Sequence, residues 1–94
     1  GRDAMEALLD LLSSPGTPPE IALTALHGPQ RFWRDSMFAS SASYNLLPEF
    51  KKRALAAVEQ WPAATCASIA QMYEFQYLPR SFQRPITAGK RKHE

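Results

Sequence analysis

Eight prolines punctuate this chain, and their positions limit the length of every regular segment between them. Proline has no backbone donor and holds φ near about −65°, so it suits the first turn of a helix and disrupts positions further in. Pro18, Pro19, Pro29, Pro48 and Pro62 each stand at the head of an apolar stretch with helical spacing, the pattern of a chain cut into short helices. No period-two alternation and no Asn-Gly or Asp-Gly hairpin turn competes with that pattern. The expected class is all-α: a small bundle of four to five short helices with a basic, flexible C-terminal tail.

Asp3 and Glu6 have the spacing of a capping box, and Met5, Leu8, Leu9 and Leu12 share one face of a first helix that Ser13, Ser14, Pro15 and Gly16 end. Thr17, Pro18, Pro19 and Glu20 repeat the start signal for a second helix carrying Ile21, Ala22, Ala25 and Leu26. Gly28 and Pro29 are expected to stop it, with Pro29 opening a third helix to Phe38 and the serine-rich stretch from Ala39 to Tyr44 forming a loop. His27 then falls at a helix end, where it meets the negative pole of the dipole. Pro48 opens a fourth helix with Phe50, Ala54, Leu55, Val58 and Trp61 inward. Pro62 opens a fifth, placed at the centre of the bundle, in which Cys66, Ile69, Ala70, Tyr73 and Tyr77 form one stripe and Met72 and Phe75 fall off it. After Pro79 the pattern fades, so the folded domain is expected over residues 1–78 and a basic tail over 79–94, with Phe82 and Ile86 able to dock part of it.

Ninety-four residues suffice for one small domain. No apolar run approaches the ~20 residues of a membrane span, so no membrane association is expected. A chain that opens on Gly1 rather than Met is expected to be a piece of a longer protein. The single cysteine, Cys66, has no intrachain partner for a disulfide, which points to an intracellular setting, cytoplasm or nucleus. Charge is unevenly placed: residues 1–78 hold six basic and eight acidic side chains, residues 79–94 five basic and one acidic, so a net charge of +2 divides into −2 and +4.

Catalytic chemistry has little to build on. One cysteine and two histidines, His27 and His93, fall short of a structural zinc site, and no metal or other cofactor is expected. Cys66 lies on an apolar stripe, where desolvation makes a thiol inert, and the four glycines are scattered singly rather than set in a phosphate loop. The expectation is therefore a non-enzymatic chain.

Ten aromatic residues exceed what a core this small must bury, and aromatics and methionine are enriched at interface cores. A protein-protein interaction module follows, its apolar groove or patch formed by Phe32, Trp33, Met37, Phe38, Met72 and Phe75 and its partner a peptide or helix. Leu8, Leu11 and Leu12 also have the Leu-x-x-Leu-Leu spacing of helices that dock in a partner's groove, although a core face alone produces it. Self-association through the same surface fits equally well. The alternative is nucleic-acid binding through Lys51, Lys52, Arg53, Arg80, Arg84, Lys90, Arg91 and Lys92, with residues 50–84 drawn as a degenerate helix-turn-helix.

Overall fold

The structure, a computed structural model, describes the backbone of residues 2–36 and 47–93 and the side chains of residues 2–27 and 48–93. The elements are α1 (Arg2–Ser13), α2 (Pro19–Ser36), α3 (Leu47–Glu59), α4 (Ala63–Ala70), a 3₁₀ segment (Tyr73–Tyr77) and α5 (Arg80–His93), and no strand occurs among the described residues. The chain is thus the all-helical bundle its punctuation predicts. α1 packs on α2 and α3, α5 packs on α4 and α3, and α2 closes against α4.

The core is the meeting of single helix faces. Met5, Leu9 and Leu12 come from α1, Ala22, Leu23, Ala25 and Leu26 from α2, and Phe50, Ala54 and Val58 from α3. Each set follows the three- and four-residue spacing that stacks side chains on one face. Cys66 and Ile69 of α4, Leu78, and Phe82 and Ile86 of α5 complete it.

Three boundaries differ from the sequence expectation. α2 continues through Gly28 and Pro29 to Ser36, because the proline's φ is helical and its cost is one lost donor rather than an impossible backbone. His27 accordingly lies inside a helix, buried, with its Nε2–H donating to the Glu74 carbonyl at 2.8 Å. That bond ties α2 to the 3₁₀ segment.

The expected fifth helix ends early, at Ala70. Gln71 and Met72 donate to carbonyls three residues back, Ser68 and Ile69, and the same short step recurs from Phe75 to Met72 and from Leu78 to Phe75. Tightening from 3.6 to about three residues per turn rotates the following side chains out of the stripe. Tyr73 and Tyr77 are left 69% and 58% exposed, while Met72 and Phe75 lie half-buried against the core.

The segment expected as a tail is α5, a 14-residue helix with Pro85 inside it. Phe82 and Ile86 are 2% and 0% exposed. Burying two such side chains contributes about 3–6 kcal/mol, enough to offset the ~3 kcal/mol of an interior proline. The domain boundary expected after residue 78 is therefore replaced by one core that runs through Leu78, Phe82 and Ile86.

Candidate functional site

Two surfaces are available, and they lie on different elements. The first begins where α1 and α3 end together. Trp61 follows the last turn of α3, whose backbone closes with Gln60 donating to Ala57 and Trp61 to Val58. Its indole Nε1–H donates to the Leu12 carbonyl at 2.8 Å, one of the acceptors that a helix C-terminus leaves without an internal partner. Beyond it the chain turns back, with the Ser14 amide and Oγ both donating to the Asp10 carbonyl and the Thr17 amide to Ser14.

Between this corner and the start of α4 lies a groove of about 580 Å³, lined by Leu11, Leu12, Pro15, Ala56, Ala57, Trp61 and Pro62, with Ser14, Thr17 and Thr65 at its polar edges. Its volume falls within the ~300–1,000 Å³ of ordinary binding pockets. Its lining is mostly carbon, and Leu11 is 39% exposed beside it.

Arg53 is the charged group on the groove's rim, and it is held elsewhere. Its guanidinium forks onto Glu6 at 2.6 and 2.9 Å and reaches Glu49 at 3.3 Å, while Arg2 pairs with Glu49 at 3.0 Å. This exposed network joins α1 to α3. Hydrogen bonding from Arg53 holds the Glu6 carboxyl below the usual carboxylate range, and hydrogen bonding from Arg2, then from Arg53, does the same for Glu49.

The second surface is formed by the 3₁₀ segment and α5. The Tyr73 and Tyr77 hydroxyls are 2.6 Å apart, with the rings edge-on at a centroid distance of 5.3 Å. Gln83 anchors this segment to α5, its side-chain amide donating to the Leu78 carbonyl at 2.8 Å and the Gln76 carbonyl at 3.1 Å. Beside Gln83 a shallow cleft of about 450 Å³ is lined by Arg80, Arg84, Thr87, Ala88 and Arg91.

The residues expected from sequence are distributed as follows. Met37 and Phe38 lie outside the described residues, as do the side chains of Phe32 and Trp33. Met72 and Phe75 pack on the core, so the exposed aromatic surface at this point of the chain belongs to Tyr73 and Tyr77 instead. Lys51 and Lys52 are exposed on α3, whereas Arg53 is occupied by Glu6 and Glu49. Arg80, Arg84, Arg91 and Lys92 are exposed on α5, and Lys90 is half-buried. Ala56 and Trp61, which line the groove, were not singled out as site residues by the sequence; the one hint was the Leu8, Leu11, Leu12 spacing, of which Leu11 and Leu12 line it.

Among the described residues no group of three or more His, Cys, Asp or Glu side chains is placed to hold a metal ion. Burial pushes the Cys66 thiol above its ordinary range, against a smaller opposing pull from Lys92. No described helix is long and apolar enough to cross a membrane. Family models, curated proteins and solved structures yield no match to this chain.

Proposed function

We propose that this chain is a non-catalytic protein-interaction module whose groove at the α1–α3–α4 corner takes the apolar side chains of a partner peptide or helix. The observation that carries this reading is the groove itself: mostly carbon-lined, pocket-sized, and with an exposed leucine, Leu11, at its edge. The one charged residue among its described lining, Arg53, is already paired with Glu6 and Glu49, so the groove favours an uncharged occupant. The Trp61–Leu12 bond fixes one wall in advance, which lowers the ordering cost of binding.

Selection from a displayed random-peptide library tests it. Peptides with a bulky apolar anchor are expected to be enriched, and to lose binding to the Ala56→Glu variant, which places charge and bulk in the groove from an exposed helical position. Enriched peptides that bind this variant as well as the original chain would contradict the proposal. So would concentration-dependent dimerisation that Ala56→Glu abolishes, because the occupant would then be a second copy of the chain.

A further inference from the structure

The exposed tyrosine pair and the arginine face of α5 have no part in the groove, and the fold does not require either. Arg80, Arg84, Thr87 and Arg91 fall within about 60° of one another around the helix axis at 100° per residue. Phe82, Ile86 and Gly89 occupy the opposite side. No acidic residue occurs in α5, and Arg80, Arg84 and Arg91 form no ion pair with a described residue. Arg2 and Arg53, by contrast, are each paired.

Helix stability explains Arg91, since positive charge near a helix C-terminus is favourable, but it does not explain Arg80, which stands in the first turn against the dipole. Core packing does not explain Tyr73 and Tyr77, because most of each ring faces solvent. Gln83 lines the arginine cleft and also bonds the Gln76 and Leu78 carbonyls, so the tyrosine segment and the cleft are parts of one surface.

Three anionic partners suit spare arginines, and the other features separate them. A bilayer surface would need an apolar helix face to insert, and the apolar face of α5 is consumed by the core. A duplex offers phosphates but hides its base faces, leaving the tyrosines idle. A single strand offers both phosphates and unstacked bases, and proteins that bind such strands combine basic tracks with aromatic platforms.

We infer that the 3₁₀–α5 face binds single-stranded nucleic acid, with bases against Tyr73 and Tyr77 and phosphates along Arg80, Arg84 and Arg91. The Tyr73–Tyr77 hydroxyl bond holds the two rings as one ledge. The arginines set affinity at low salt, and the tyrosines distinguish a strand from a duplex.

Fluorescence anisotropy of a labelled thymine oligomer of ~12 nucleotides, titrated with the full chain at several salt concentrations, tests the inference. Binding is expected, weaker for the same-length duplex, with a log–log salt slope of about −2 for three phosphates at ~0.7 each. Arg80→Gln with Arg84→Gln should bring that slope to about −0.7. Tyr73→Ala with Tyr77→Ala should weaken binding about tenfold or more and leave the slope unchanged. Lys51→Gln with Lys52→Gln removes the same charge from α3 and should change affinity by less than about twofold. All six positions are exposed, so the variants are expected to fold, with circular dichroism as the check.

Duplex binding as tight as single-strand binding, or a tyrosine variant that binds normally, would overturn the inference. So would equal losses from the α3 and α5 charge variants, which would mean that net charge alone attracts the oligomer. Preference for phosphatidylserine vesicles over both oligomers would assign the face to membranes instead. The comparison of strand with duplex uses the unaltered chain, so the inference is decided even if a variant misfolds.

Discussion

Gly89 sets how closely α5 can lie on α4. A Cβ at this position would stand 2.5 Å from the Cys66 Sγ and 3.1 Å from its Cβ, and Cys66 is buried with little freedom to move aside. Two effects of Gly89→Ala oppose each other: helix propensity gains about 1 kcal/mol, while overpacking a tight contact costs about 1–3 kcal/mol. The immobile sulfur decides for the second, so urea unfolding should show a net loss of up to about 2 kcal/mol. In a Cys66→Ala background, with the sulfur gone, most of that penalty should disappear; an undiminished penalty would mean that the contact is not the cause. The same burial makes Cys66 a poor nucleophile, since desolvation raises its pKa more than Lys92 lowers it. Its reaction with an aromatic disulfide reagent at neutral pH should be slow in the native chain and fast in denaturant, and rapid native labelling would contradict the packing of α5 over it.

At the scale of elements, the helical class was legible because apolar spacing and capping signals agree in α1, in the first half of α2, and in α3. What the sequence hid were the places where tertiary packing overrules a local breaker. Gly28 with Pro29 reads as a stop and the stretch after Pro79 as a tail, yet α2 runs past Pro29 and α5 forms with Pro85 and Gly89 inside it. In α5 the deciding signal is the pair Phe82 and Ile86, four residues apart, whose burial outweighs the proline between them. Phe82→Ala should therefore cost about 3–5 kcal/mol in urea unfolding, a large share of the 5–15 kcal/mol typical of a small domain. A solvated tail would show almost no change. The opposite error occurred after Ala70, where a continuous apolar stripe suggested one long helix and the switch to 3₁₀ bonding turned Tyr73 and Tyr77 outward. That switch leaves no mark in residue spacing. It is stabilised from outside the segment, by the His27 bond to Glu74 and the Gln83 bonds to Gln76 and Leu78.

For the molecule as a whole, α1 is held to α3 by apolar packing within and by the Arg2–Glu49–Arg53–Glu6 network at the surface. Both carboxyls titrate below their ordinary range in the folded chain, so their contribution to stability is present above about pH 4.3 and is lost as pH falls through the depressed values. Glu6→Gln with Glu49→Gln should lower the melting temperature at neutral pH, and the difference from the original chain should narrow as pH falls below the ordinary carboxylate range. A gap independent of pH would assign the effect to packing. The candidate groove was less legible than the fold because it is assembled from ends: Leu11 from α1, Trp61 after α3 and Pro62 before α4 meet only once the helices pack, and alone Trp61 reads as core and Pro62 as punctuation. The charged face of α5 was legible in composition, as five basic residues after Pro79, but its geometry appeared only when the segment proved helical. The central claim is that the groove at this corner is where a protein partner docks. It is tested most directly by two-dimensional amide NMR of the labelled chain, titrated with a library-selected apolar peptide at about 1 M salt, where charge attraction is screened beyond ~3 Å. Shifts clustered at residues 11–17, 56–57 and 61–65 are predicted; a spectrum that moves elsewhere, or does not move at all, would contradict the claim.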